Sequence, residues 1–142
     1  LLAFTVSACG GSEEQAVVEQ IVVREPGDPA PIPSVPADAP DLVAAGKSAF
    51  AMCSACHVAE AGEPSLAGPN LHGVVGRQAG VLGDFAYSEA LATSQITWDE
   101  AQLDRFLADP AGTLPGTIMV AGAVGDAERR AAIIAYLTSL DE

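Results

Sequence analysis

Two thiols and an imidazole packed into five residues, Cys53-Ser54-Ala55-Cys56-His57, constrain this chain more than any other feature of its sequence. On a helical turn, thiols three positions apart lie on one face. There they can reach the two vinyl groups of a single haem, while the next residue places its imidazole under the iron. Two other chemistries use a C-x-x-C pair. A thioredoxin-like redox pair needs a βαβ setting, and a zinc half-site needs a second pair of ligands. The sequence offers neither, because the remaining cysteine is Cys9 and the remaining histidine is His72. Covalent haem also accounts for the odd total of three cysteines, consuming Cys53 and Cys56 and leaving Cys9 for another task. One covalently attached haem c is therefore expected, with His57 as its proximal ligand.

The rest of the composition is consistent with a small domain of this kind. The chain has 142 residues, with 19 acidic against 6 basic side chains and a formal net charge of −13. Attraction to nucleic acid needs clustered Lys and Arg, so that class of partner is excluded, and anionic lipid headgroups would repel the chain as well. Hydrophobic residues make up 49% but aromatic ones only 5%, so a flat macrocycle would supply the aromatic centre that the side chains lack.

The chain divides by composition into three parts. Leu1 to Ala8 carry no charge and end in the small pair Ser7-Ala8 before Cys9, which reads as the tail of a secretory signal. Val6-Ser7-Ala8-Cys9 resembles the lipobox of bacterial lipoproteins, which makes Cys9 the expected lipidation site and puts the protein in the bacterial periplasm, tethered to membrane; a spare thiol near a cut site is the plain alternative. Residues 10–45 are acidic and crowd six prolines into positions 26–40. They read as a linker, whose Pro-rich part would reach roughly 45 Å at about 3.1 Å per residue. Residues 46–142 form the third part. There a first helix is expected over about 42–55, with Gly46 and Phe50 one turn apart on one face. A second is expected after Thr97, where Thr97-Trp98-Asp99-Glu100 has the form of a capping box, and it should end near Asp109-Pro110. A last helix starting near Asp126 carries Ile133, Tyr136, Leu137 and Leu140 at i, i+3, i+4 and i+7.

Five landmarks in order, Gly46 with Phe50, the C-S-A-C-H motif, Gly68-Pro69-Asn70-Leu71-His72-Gly73, Pro115-Gly116-Thr117-Ile118-Met119 and Ala135-Tyr136-Leu137, resemble the class I c-type cytochromes of the mitochondrial-like, monohaem branch. The resemblance runs from Gly46 to Leu140. It implies an all-α class I cytochrome c fold, three to five helices around one covalently attached haem c, with Leu103, Phe106 and Leu107 facing the haem. It further implies Met119 as the sixth iron ligand, from a loop that includes Thr117, where a methionine would otherwise be gap-filling core. His72 is the rival ligand, and bis-His ligation would lower the potential. The Pro69 carbonyl is expected to take the Nδ1 proton of His57, and Arg77, Tyr87 and Trp98 to bind or neutralise the propionates. Three departures stand out: Phe106, Leu91 and Ala121 occupy places where relatives carry a Tyr, an Asn and an aromatic. Of the lysines that ring the haem edge in mitochondrial relatives only Lys47 remains; Met52, Ala111, Ile118 and Gly125 occupy other such places.

The implied function is electron transfer, not enzymatic catalysis. A tethered monohaem carrier is expected to cycle between membrane redox complexes, such as a cytochrome bc-type reductase, a terminal oxidase or a photosynthetic reaction centre, with no small-molecule substrate. The alternative is a haem sensor, or an accessory cytochrome subunit of a larger oxidoreductase, with a labile sixth ligand.

Overall fold

A computed structural model describes residues 40–141; Cys9, the signal-like start and the linker up to residue 39 lie outside the described residues. Five α-helices follow in chain order: α1 (Pro40–Phe50), α2 (Glu89–Ala92), α3 (Glu100–Ala108), α4 (Pro110–Thr113) and α5 (Ala127–Thr138), with a final 3-10 turn over Ser139–Asp141. Among the described residues the only β pairing is a single antiparallel bridge between Gln78 and Thr97. The fold is all-α, as the sequence implies.

Three helix boundaries differ from the sequence reading. Helix α1 begins at Pro40 rather than 42, so the last residues assigned to the linker are helical. Proline is tolerated there because the first N–H of a helix has no partner in any case. The regular helix also stops at Phe50. Ala51 and Met52 bond back to Ser48 and Ala49 at 3.4 Å in a tightened turn, and the chain then coils into the C-S-A-C-H segment. The cap of α3 is displaced as well: the Asp99 carboxylate, not Thr97, accepts from the Gln102 N–H at 2.7 Å. Trp98 is the reason. Its N–H donates to Arg77 O (2.9 Å) and its carbonyl accepts from Gly76 N (2.8 Å), which holds 97–98 extended against the loop before it can enter a helix. Asp109 and Asp126 cap α4 and α5 in the same manner, accepting from Gly112 N and Arg129 N.

The main helix packing is α1 across α5. Gly46 is what allows it: a Cβ at this position would collide with the Ala132 carbonyl oxygen and come within 2.8 Å of Tyr136 Cβ. Phe50 and Tyr136 pack at the same crossing with ring centroids 5.4 Å apart and their planes tilted by 58°. From α5, Ile133 and Leu137 are buried with Tyr136 at the margin of the core, where Leu140 joins it from the 3-10 turn rather than from the last helix itself. Helix α3 contributes Leu103, Phe106 and Leu107, all buried, and Trp98 tilts onto Phe106 at 5.0 Å.

The long segment between α4 and α5 is tied to the helices through Arg130 and through the Val124 backbone. Arg130 bonds Asp104 Oδ1 on α3 at 2.7 Å and the carbonyls of Val124 (2.9 Å) and Gly125 (3.1 Å), while Val124 N donates to Leu107 O at 2.7 Å. The Arg130 and Asp104 side chains are only 11% and 23% exposed, so truncation would leave a half-buried carboxylate and two carbonyls unpaired. Arg130→Ala is expected to cost about 2–3 kcal/mol in a denaturant titration of the haem-loaded protein, with Arg130→Lys recovering part. A loss under about 0.5 kcal/mol, the range of ordinary surface substitutions, would contradict this assignment.

Candidate haem-binding site

The attachment turn is built by backbone bonds. Cys53 N donates to Phe50 O at 2.7 Å, and Cys56 N and His57 N both donate to Cys53 O at 3.0 Å. Both thiols are free, Cys53 half-buried and Cys56 exposed. Burial pushes the Cys53 thiol up, with Arg129 opposing it in part.

His57 is oriented from two sides. Its Nδ1 lies 2.8 Å from the Pro69 carbonyl. A carbonyl can only accept, so Nδ1 carries the proton and Nε2 keeps its lone pair, the tautomer an axial ligand requires. Behind the ring sits Gly68, buried, where a Cβ would lie 2.6 Å from Nδ1 and 2.7 Å from Nε2. The loop carrying both residues is tied down at several points. Gly68 N donates to Cys56 O and Leu71 N to Val58 O, each at 2.8 Å. Asn70 is buried and uses its whole amide: Nδ2 donates to the carbonyls of Glu60 (2.9 Å) and Glu63 (2.7 Å), and Oδ1 accepts from His72 N (2.7 Å). Asp84 reaches in to accept from Ser65 N at 2.8 Å, and the Ser65 hydrogen bonds hold its carboxyl below the usual range.

A separate loop carries the second candidate ligand. Thr117 is buried, and its hydroxyl oxygen accepts from Met119 N at 3.3 Å, which sets the backbone from which the thioether projects. Met119 packs on Gly122: a Cβ there would collide with Met119 Cε and sit 3.0 Å from Cγ. Each candidate axial residue therefore rests against a glycine, Gly68 for His57 and Gly122 for Met119. Gly122→Ala is expected to displace the thioether, weakening the far-red sulfur-to-iron band of the oxidised protein while haem stays attached. Gly83→Ala, where a Cβ meets nothing within 4 Å, should leave the band intact; equal spectra for the two variants would remove Gly122 from this role.

The residues expected at the propionates form a third group. Arg77 donates from Nη1 to His72 O (2.8 Å) and from Nη2 to Asn70 O (2.7 Å), bracing the His57 loop. Trp98 is buried beside it through the paired strand-like segments. Tyr87 is half-buried, edge-on to Phe85 at 4.9 Å. Burial pushes its phenol up, and the Arg77 charge works against that shift. His72 lies in the loop that holds His57, its N–H and carbonyl engaged by Asn70 and Arg77.

This donor set fits a haem. It provides two thiols, an imidazole with a fixed tautomer and a thioether, around a core in which Leu103, Phe106, Leu107 and Trp98 are buried. It does not fit the zinc alternative, since among the described residues no group of three or more His, Cys, Asp or Glu could hold a metal ion. Sequence reasoning singled out His57, Pro69, Thr117 and Met119. It missed Gly122, Asn70 and Asp84. The Pro-Asn pair hinted at Asn70, whereas the packing of Gly122 and the reach of Asp84 across nineteen positions depend on tertiary contacts.

The fold and this donor arrangement define a c-type cytochrome, and the chain belongs to the cytochrome c family, whose family model matches residues 43–141. It is similar to cytochrome c2 iso-2 of Magnetospirillum fulvum, 50% identical over 92 residues that span 65% of this chain and 95% of that protein. Cytochrome c of Chlamydomonas reinhardtii is 42% identical over 101 residues, 71% of this chain and 90% of the other. Among solved structures, cytochrome cH from Methylobacterium extorquens superposes with a TM-score of 0.64 at 46% identity, covering 68% of this chain and 97% of that one. Membership brings one covalently bound haem c, attached through the Cys53 and Cys56 sulfurs, and electron transfer as the function.

Proposed function

We propose that this protein is a tethered, six-coordinate electron carrier of the bacterial periplasm, with His57 and Met119 as the iron ligands and no enzymatic turnover of its own. When bound, the haem supplies the Fe(III)/Fe(II) couple. The remaining tasks fall to the chain. Pro69 fixes the His57 tautomer through the 2.8 Å hydrogen bond, Gly68 and Gly122 set the approach of the two ligands, and Thr117 orients the Met119 backbone. Leu103, Phe106, Leu107 and Trp98 exclude water, and Arg77, Tyr87 and Trp98 would meet the propionates, whose burial is costly without partners. With His57 and Met119 both holding the group, no position would be left on it for a substrate. The packing of Met119 against Gly122 is the observation that carries this reading over a sensor with a labile sixth ligand.

The domain assignment completes the proposal. Leu1 to Ala8 is a signal remnant, Cys9 is acylated, and the segment that follows is the leash of a domain beginning near residue 40. Linkage raises the effective concentration of the domain at membrane partners within reach. Those partners would be a cytochrome bc-type reductase on one side and a terminal oxidase or photosynthetic reaction centre on the other. Optical redox titration of the detergent-extracted protein, together with mass analysis of its N-terminal peptide, tests ligation and lipid in one preparation. A far-red band, slow CO uptake by the reduced form and a diacylglyceryl mass on Cys9 are expected. Immediate CO uptake would overturn the ligation, and an unmodified Cys9 the tether.

A further inference from the structure

The peptide unit joining Pro69 to Asn70 is hydrogen-bonded at both ends. Its carbonyl accepts from His57 Nδ1 at 2.8 Å, and its N–H donates to Ser65 Oγ at 3.1 Å. Ser65 in turn meets Asp84, nineteen positions later, its N–H donating to Asp84 Oδ2 at 2.8 Å. A hydroxyl has one hydrogen and two lone pairs. With a lone pair of Ser65 Oγ taken by the Asn70 N–H, that hydrogen is free for the carboxylate already held at the backbone of the same residue. The Asp84 carboxyl is kept below its usual range first by the Ser65 N–H and next by the Ser65 hydroxyl. Arg77 takes the following carbonyl, Asn70 O, rather than that of Pro69. Asn70 is buried and Asp84 exposed, so one line of hydrogen bonds runs from a solvent-facing anion through the loop to the imidazole.

We infer that Asp84 is a positioning residue for His57, acting through the Ser65 hydroxyl and the Pro69–Asn70 peptide to raise the basicity of the imidazole and so lower the reduction potential of the loaded protein. The inference rests on the reading of His57 as an axial ligand and extends it by three residues. Hydrogen bonds in series polarise one another in a low-dielectric interior. An anionic acceptor draws the Ser65 hydroxyl hydrogen, which makes Oγ a more electron-rich acceptor for the Asn70 N–H. The amide is a resonance system, so a pull on its N–H moves electron density onto its oxygen. Pro69 O then holds the Nδ1 proton more tightly, and Nε2 becomes the stronger donor. A stronger donor favours ferric over ferrous iron. A bare charge at the same place would act in the same direction through solvent. The two are separable because Ser65 carries no charge.

The test uses the haem-loaded full chain, read by redox titration and by the NMR signal of the His57 Nδ1 proton in the diamagnetic ferrous form. Asp84→Asn and Ser65→Ala are each expected to raise the ferrous-to-ferric ratio at fixed potential about threefold. That is a rise of about 30 mV, at about 59 mV per tenfold for a one-electron couple. The double variant should rise no further than either single one, since both cut the same line. Both single variants should move the Nδ1 proton upfield and speed its exchange with solvent. Ser65→Thr, which keeps the hydroxyl, should restore the potential and the signal. At about 1 M salt, where the Debye length is about 3 Å, the shifts should persist. The inference fails if Asp84→Asn moves the potential and Ser65→Ala does not, or if the single shifts add or vanish in salt; each would mean a charge felt through solvent. It fails equally if both variants lose stability while potential and proton signal stay at the parent's values, which would make the contact a brace alone. A parent lacking the ferrous Nδ1 signal would lose the His57 reading and this inference with it; a parent that shows the signal while its variants match it loses the inference only.

Discussion

Replacement of Met119 by alanine should leave a protein that still carries its haem but no longer behaves as a sealed relay. Cys53, Cys56 and His57 lie on a separate turn whose backbone bonds do not involve the Met119 loop, so attachment should survive. Three changes are expected together in the spectra and titration of Met119→Ala. The far-red band of the oxidised form disappears, the ferrous form binds CO at once, and the reduction potential falls by on the order of 0.1–0.3 V, within the roughly 0.8 V over which axial ligation tunes haem iron. The direction follows from the thioether, which favours the ferrous state; water or an opportunistic nitrogen in its place favours the ferric. A variant with an unchanged potential and band would transfer the ligand role elsewhere, and His72→Ala in the same background would then show whether the imidazole had taken it.

Gly46→Val should have the largest effect on stability of any single change in the domain. The added Cβ would enter the space of the Ala132 carbonyl, and backbone cannot swing aside as a flexible side chain can. Helices α1 and α5 would have to separate, prying apart the tilted Phe50–Tyr136 ring contact and loosening Ile133 and Leu137 behind it. Overpacking of this kind costs about 3 kcal/mol or more, a large share of the roughly 5–15 kcal/mol that holds a domain of this size together. The denaturation midpoint of the haem-loaded protein measures it. Comparable loss in Gly83→Ala would mean the preparation, rather than the crossing, is at fault.

These two sites also show what a sequence reader can and cannot see. The C-S-A-C-H turn is legible because covalent chemistry dictates its spacing, and Gly46 because a glycine one turn from Phe50 on a helical face has few other uses. The start of α3 misleads because Thr97-Trp98-Asp99-Glu100 satisfies the capping pattern by composition alone, whereas a bridge to Gln78 and two backbone bonds to Trp98 pull the chain straight through Thr97 and pass the cap to Asp99. Short helices such as α2 escape notice for a related reason. Four residues, Glu89–Ala92, have no period to detect and exist through the Ser88 cap, whose hydroxyl accepts from Leu91 N. Gly122 looks like one more loop glycine until the Met119 side chain is placed on it.

The Arg130 anchor carries a consequence for motion. It fastens one end of the Met119 loop to α3 and α5, and the Asp109-capped turn of α4 fastens the other. Between them, residues 115–123 contain no helix and few backbone bonds, among them Thr117 N to Leu114 O and Val120 N to Ile118 O. Such a stretch opens as a unit at a free energy well below that of global unfolding. Its amides should therefore exchange with deuterated solvent long before those of α5, and release of the Met119 thioether from the ligand role proposed for it should occur as a local excursion from which the protein returns without refolding its helices.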